Sequence, residues 1–248
     1  MSVRNEQQEM GPAAQRFNTT HWSVVLAAGE ASSPDAQAAL EKLCRTYWYP
    51  LYAYVRRKGH SAHDAEDLTQ GFFAQLLARE SISQVRGEGK FRSFLLSALE
   101  HFLAAEWNRA RRQKRGGNCS VISLDAPKPE ERYKLEPLDE QTAERIYERR
   151  WAMIALEQAL DKLQGECHAA HKDELFERMK GTLTGESDAV SYADLGARLK
   201  MSEGAVKVAA HRLRQRYGEL VREEIAQTVS SQGELDEEIR HLFAVLRY

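Results

Sequence analysis

Three clusters of charged side chains could do chemistry in this chain. Asp64, Glu66 and Asp67 stand together and are followed by Gln70. Arg109 to Arg115 is a basic block, and Lys207 to Arg216 is a second one. On a helix Asp64 and Asp67 lie three apart, with Gln70 near the same side, so the carboxylates can pair with Arg or Lys of a partner helix. Paired carboxylates also suit acid–base catalysis, but no complementary pocket residues and no phosphate-binding loop accompany these. The plainer alternative is an acidic helix start stabilised by the helix dipole. The basic blocks suit phosphate: a net charge of -2 hides strong segregation, with acidic residues gathered at Asp64 to Asp67 and Glu234 to Glu238.

Cys167-His168-Ala-Ala-His171 invites a metal reading. Two of those ligands are adjacent and cannot share a helix face, and no second cluster completes a tetrahedron, so neither metal nor cofactor is expected. Cys44, Cys119 and Cys167 are far apart and odd in number, which argues against a disulfide framework and for a reducing compartment. No run of eighteen apolar residues predicts a membrane span. Met1 to Arg16 lacks an apolar signal core and reads as a polar, disordered leader. The expected location is cytoplasmic.

The elements that must carry these clusters read as helices throughout. Thr19 and Thr20 precede Trp22, Val25 and Leu26, with Gly29 after them: a short capped helix. Leu40, Leu43 and Tyr47 form a stripe that Pro50 should interrupt, and Leu51, Tyr54 and Val55 continue as a separate segment to Gly59. Ala65, Leu68, Phe72 and Leu76 line one helix, and Phe91, Phe94, Leu95, Ala98, Phe102 and Ala105 another. These stripes can pack as an N-terminal bundle over residues 17–117. Residues 118–140, with Pro127, Pro129 and Pro137 among many charges, read as an extended linker. Patterning resumes near Thr142 with Met153, Leu156, Leu160 and Leu163, ends around Gly165, and returns at Leu175, Phe176 and Met179 before a break at Gly181 to Ser187. The fold class is therefore all-α, with a second helical domain over residues 141–228 and a helical extension over 229–248.

Within the second domain Tyr192 to Leu199 is a short helix, Lys200-Met201 a tight connection, and Ser202 a natural N-cap for a helix carrying Ala205, Val206, Ala209, Leu213 and Tyr217. That spacing fits a helix-turn-helix packed through Leu195, Leu199, Met201, Val206 and Leu213. Its second helix offers Lys207, His211, Arg212 and Arg214, and small residues at Gly204 and Ala205 let its start approach a phosphate. Such a helix lies in the major groove and reads base edges.

With both halves in view the chain resembles an extracytoplasmic-function (ECF) sigma factor of the sigma-70 family. Tyr47-Trp-Tyr-Pro-Leu-Tyr52, followed by Asp64-Ala-Glu-Asp-Leu-Thr-Gln70, is similar to the start of sigma region two. Phe91-Arg-Ser-Phe-Leu-Leu96, running into the basic block, is similar to the part that melts and reads the minus-ten element. Tyr192 to Arg216 is similar to region four, which reads the minus-thirty-five element, and Met201-Ser-Glu-Gly-Ala-Val-Lys207 matches the start of its recognition helix. Thr20-His-Trp-Ser-Val-Val25 resembles a subgroup common in bacteria rich in serine/threonine kinases.

The resemblance covers Thr19 to Ile225. It implies a transcription initiation factor without enzymatic activity, with core RNA polymerase and promoter DNA as partners and an anti-sigma factor or a serine/threonine kinase as a candidate regulator. It assigns Asp64, Glu66, Asp67 and Gln70 to polymerase docking. It assigns His101, Phe102, Arg109, Arg111, Arg112 and Lys114 to the minus-ten element. Ser202, Lys207, His211, Arg212 and Arg214 go to the minus-thirty-five element. Phe94, Phe102 and Trp107 are candidates to stack on unpaired bases, although such aromatics are more often core. Thr69, inside the docking motif, is a candidate phosphorylation site, with an unmodified helical threonine as the plainer reading.

The chain departs from the family in three places. Leu124 to Arg149 is longer than a minimal linker, His101-Phe102 stands where the family has its minus-ten specificity loop, and Val229 to Tyr248 extends past region four. In that extension Leu235, Ile239, Leu242, Phe243 and Leu246 recur at helical spacing, with Asp236, Glu237, Glu238 and Arg240 expected on other faces. A helix this short is marginal alone, so its apolar stripe must be buried. Region four, region two with the linker, and another protein are the three candidate partners. Two other readings of the whole chain stand beside the sigma factor: a helix-turn-helix regulator that does not engage polymerase, and a helical nucleic-acid-processing enzyme, which would need a nucleophile or metal site.

Overall fold

The computed structural model describes residues 34–78, 90–112, 129–134, 142–184 and 191–247. Every regular element among them is a helix. The expected helix around Trp22 lies outside the described residues, as does the leader.

Helix α1, Pro34–Arg57, runs straight through Pro50. A proline inside a helix costs about 3 kcal/mol, because it removes one backbone bond and crowds the carbonyl four residues earlier. Here the flanking residues offset that cost. Tyr47, Trp48, Tyr49, Leu51, Tyr52, Ala53, Tyr54 and Val55 are all buried around it, so a break would expose the aromatic centre of the bundle. Helices α2, Ala62–Ala78, and α3, Phe91–Arg112, complete the N-terminal bundle. Phe72, Phe73, Leu76, Phe91, Leu95 and Leu99 are buried there.

The expected extended linker contains a packed helical turn. Helix α4, Pro129–Lys134, is pinned to α1 by Glu130, which accepts from Arg56 Nε and Nη2, both at 2.9 Å, and from the Tyr52 hydroxyl at 2.7 Å. Tyr133 stands edge-on to Tyr52, and Arg56 lies over the Tyr133 ring at 4.8 Å.

Helix α5, Ala143–Ala169, is capped by Thr142, whose hydroxyl accepts from Arg145 N–H. It does not stop near Gly165, because Leu163 and Cys167 on either side of that glycine are both buried. Helix α5 lies against α1 along one side and against the later helix α9 along another. The buried residues of α5 include Ile146, Tyr147, Trp151, Ala152, Ala155, Ala159 and Leu163; of the expected stripe, Met153, Leu156 and Leu160 are only half-buried. Small alanines let two neighbours approach one helix closely, so an apolar periodicity drawn from large side chains alone misplaces the face.

Short helices α6, Asp173–Met179, and α7, Gly181–Thr184, follow, with Phe176 and Met179 buried. Helices α8, Tyr192–Leu199, and α9, Glu203–Ala226, form the helix-turn-helix, and α10, Gln232–Leu246, packs against α5 and α9.

Candidate functional site

The turn between α8 and α9 is fixed by local chemistry. Lys200 adopts the left-handed conformation, with φ of 54°. The Met201 N–H then closes on Gly196 O at 2.9 Å. Gly196 is buried, and a Cβ there would stand 2.7 Å from Met201 O, so only glycine fits under the connection. Ser202 caps α9 by accepting from Ala205 N–H. Leu195 and Val206 are buried at the crossing, with Leu213 beside them and Leu199 and Met201 half-buried.

The expected base-reading residues Lys207, His211, Arg212 and Arg214 are all exposed on α9. They are not equivalent. Lys207 pairs with Glu203 at 2.7 Å, which holds its ammonium pKa above the ordinary value. Arg214 donates to the Tyr192 hydroxyl at 3.0 Å. Arg216, in the same basic block, faces Glu166, Glu219 and Glu223 at 2.7–3.1 Å and serves to fasten α9 to α5. Sequence reasoning missed Val208, a branched apolar side chain 50% exposed on this helix. With Gly204 and Arg212 it lines a groove that Leu163 and Cys167 of α5 and Leu175 of α6 also border. Its signal was present: an apolar residue out of phase with the buried Val206, Ala210 and Leu213.

Asp64 and Asp67 are exposed on α2, and Glu66 is half-exposed. Ser61 Oγ accepts from Asp64 N–H at 3.1 Å and donates to its carboxylate at 2.7 Å, so Asp64 also stabilises the helix start. Asp67 has His63 Nε2 at 3.5 Å. Gln70 does not join this surface. It is only 8% exposed; its amide nitrogen is 3.4 Å from Glu66, and its Oε1 has no hydrogen-bond partner. Thr69, the candidate phosphorylation site, is fully buried, and its hydroxyl donates to Ala65 O at 2.7 Å. A kinase cannot reach that hydroxyl in this arrangement, and a phosphate would have to displace core side chains.

His101 and Phe102 lie within the continuous helix α3, not in a loop. His101 is exposed, whereas Phe102 is half-buried with its ring edge-on to Phe72 at 5.8 Å. Further along, Arg109 pairs with Glu106 at 2.7 Å and Arg111 lies 4.2 Å from the centre of the Trp107 ring. Trp107 is 59% exposed, a large apolar surface on the same stretch as the arginines. Phe94 is half-buried against the core. The Arg112 side chain and Lys114 lie outside the described residues.

Among the described residues no group of three His, Cys, Asp or Glu side chains could hold a metal ion. No described helix is long and apolar enough to cross a membrane.

The geometry therefore combines an acidic helix face, a basic helix bearing an exposed tryptophan, and a helix-turn-helix with an exposed cationic side. Comparison with known proteins carries this further. The ECF sigma factor family model matches residues 30–223. The ferric citrate uptake sigma factor FecI of Escherichia coli (strain K12) is 25% identical over 183 residues, covering 72% of this chain and 88% of that protein. No solved structure matches. Both readers that the sequence resemblance named fall inside the matched residues, and the chain belongs to the ECF sigma factor family, transcription initiation factors that direct RNA polymerase to promoters.

Proposed function

We propose that this chain docks on core RNA polymerase through the exposed carboxylates of α2 and reads a promoter with two separate elements, α3 and α9. Asp64, Asp67 and Glu66 meet basic side chains of the polymerase, and Gln70 acts from below by holding Glu66. The basic end of α3, with Arg109, Arg111, Arg112 and Lys114, follows the phosphates near the minus-ten element, and Trp107 stacks on an unpaired base. His101 faces the same element, with Phe102 supporting it from the core. On α9, His211 and Arg212 read base edges of the minus-thirty-five element, Lys207 and Arg214 set the helix on the backbone, and Ser202 presents the helix start to a phosphate. The protein does no catalysis of its own and works in the cytoplasm with the polymerase. An anti-sigma factor is the regulator that the family resemblance favours.

The observation that carries this reading is the exposure of Lys207, His211, Arg212 and Arg214 on one capped helix, joined in the same chain to the exposed Asp64 and Asp67. The test is promoter-directed transcription with purified core polymerase. Wild-type protein should support initiation from its own promoters, and Arg212→Ala should reduce it. A chain that binds promoter DNA without changing what core polymerase transcribes is the alternative, a regulator that does not engage polymerase.

A further inference from the structure

The groove bordered by Val208 lies between the end of α5, the start of α6 and the first turns of α9, and it encloses about 630 Å³. That is the size of a small-molecule site, which runs to roughly 300–1,000 Å³. Its lining is chemically narrow. Among the described residues no aromatic ring, hydroxyl, amide or imidazole side chain borders it. The large residues of its walls are Leu163, Cys167, Leu175, Met201, Val208 and Leu213. Burial pushes the Cys167 thiol pKa up, against the pull of Lys172, so these walls carry no charge. Four charged side chains complete the lining. Glu166 and Arg216 neutralise each other at 2.7 Å. Lys172 and Arg212 are exposed, and among the described residues neither side chain has an ion-pair partner. The acids nearby are spent elsewhere: Asp173 on His168 at 2.8 Å, Glu174 on Arg178 at 3.0 Å and Glu203 on Lys207 at 2.7 Å.

We propose that this groove binds a dissolved long-chain carboxylate, with its head on Lys172 and Arg212 and its chain along the aliphatic walls, and that the bound ligand keeps Arg212 and Val208 from DNA. The second half of the inference rests on the function proposed above; the binding itself does not.

The chemistry of the occupant follows from what borders the groove. A ligand body rich in polar atoms would give up its hydrogen bonds to water and regain none from these walls. An aromatic body would find no ring to stack on. An aliphatic chain has no polar atom to desolvate and gains with each methylene removed from water. Two cations without partners beside such walls suit one anionic head, and a carboxylate accepts both from the fork of an arginine and from an ammonium. Arg212 is also proposed above to read a base edge. One guanidinium cannot serve a carboxylate and a base together, so ligand and promoter compete. The coupling is reciprocal: promoter DNA weakens the ligand by the same factor by which the ligand weakens promoter DNA.

Titration calorimetry of the full-length chain with decanoate, kept below its micelle concentration, tests the groove. Binding should saturate. Octanoate, shorter by two methylenes, should bind roughly fifteenfold more weakly, at about fourfold per buried methylene. Decyltrimethylammonium, with the same chain length and the opposite charge, should not saturate. Lys172→Glu should weaken decanoate roughly tenfold or more. Gly204 borders the groove, and a Cβ there would meet nothing within 4 Å. Gly204→Leu should therefore fill the space and abolish saturable binding without lowering the melting temperature. The competition is read on the chain assembled with core polymerase. Decanoate at about ten times its half-saturating concentration should weaken promoter binding about tenfold, and the Lys172→Glu protein should resist it. Uptake that never saturates, equal binding of decyltrimethylammonium, or decanoate binding untouched by both variants would show surface adsorption and overturn the proposal. Binding of an acidic helical peptide where decanoate fails would give the groove to a protein partner and overturn it equally. Saturable decanoate binding with promoter affinity unchanged would overturn the competition. If the wild-type chain directs core polymerase to no promoter even without decanoate, the sigma-factor reading fails, while the calorimetry still decides the groove.

Discussion

Arg214 and Tyr192 are joined across the helix-turn-helix, the guanidinium donating to the phenol oxygen at 3.0 Å. The bond points Arg214 toward α8 and, on the function proposed above, sets its fork for DNA. Tyr192→Phe should therefore weaken promoter binding through Arg214, although Tyr192 itself need not touch DNA. Fluorescence anisotropy on a promoter duplex should show Arg214→Ala and Tyr192→Phe as non-additive, with the double variant close to Arg214→Ala alone. Additive losses would mean that the bond does not position the arginine.

Val208 makes a different kind of prediction. A branched apolar group half-exposed on α9, the helix proposed to read the minus-thirty-five element, fits the methyl of a thymine. Val208→Ala should cost about 1 kcal/mol on the preferred site, near the lower end of the range for one discriminating contact, and nothing on a site with uracil at that position. His211→Ala and Arg212→Ala should instead lose selectivity through hydrogen bonds. Equal affinity for thymine and uracil sites at every position in the wild type would exclude a methyl contact.

Asp64 and Asp67 should separate docking from folding. Asp67 has a single exposed histidine at 3.5 Å, so Asp67→Lys should leave the melting temperature nearly unchanged while weakening core binding by about 2 kcal/mol or more if its polymerase contact is desolvated. Asp64 is also bonded to Ser61 at the start of α2, so Asp64→Lys should cost core affinity and, in addition, about 1 kcal/mol of stability. Thermal melts beside core-binding titrations check both.

Much of this was legible in the sequence, and the misses share a cause. Ser202, Lys200-Met201 and the apolar residues of the helix-turn-helix are set by backbone capping and local spacing, so short-range rules found them. Pro50 and Gly165 were misjudged as breaks because tertiary burial of Tyr47 to Val55, and of Leu163 with Cys167, outweighs local propensity. The alanine seam of α5 was missed because periodicity weighs large side chains. Glu238 is expected off the apolar stripe because a glutamate within one looks like a phase error, yet it is buried between Leu235 and Leu242, and that spacing is the available signal. Arg92, its partner 146 residues away, could not be paired from sequence alone. Gln70 and Thr69 show the converse: the motif that carries the family resemblance mixes exposed carboxylates with buried supporting residues.

The pairing of Glu238 with Arg92 and Lys90 also fixes how stability should depend on pH. Burial would raise the Glu238 carboxyl pKa, but the bonds from Arg92 and Lys90 outweigh it and hold the pKa below the ordinary carboxylate value. A depressed carboxylate contributes stability that is fully present above its unfolded pKa, near 4.3, and is lost as pH falls through the folded value. His241, also on α10, has its imidazole pKa lowered by burial and by Arg92, with Lys90 acting the same way and Glu148 and Glu238 opposing. The folded protein therefore binds that proton less readily than the unfolded chain does. Its contribution is fully present above about 6.5, declines as pH falls below 6.5, and stops declining below the folded pKa. Both groups lose their contribution to stability in acid, in two successive windows. Melting temperature should fall from pH 7 toward 5, and then more steeply below about 4.3. His241→Gln should flatten the first window relative to wild type and leave the second. Glu238→Gln should make the second shallower without abolishing it, because the depressed carboxyls of Glu130, Glu144 and Glu166 still titrate there. A wild-type melting temperature that rises between pH 7 and 5, or a first window untouched by His241→Gln, would mean that burial, with Arg92 beside it, does not hold His241 neutral.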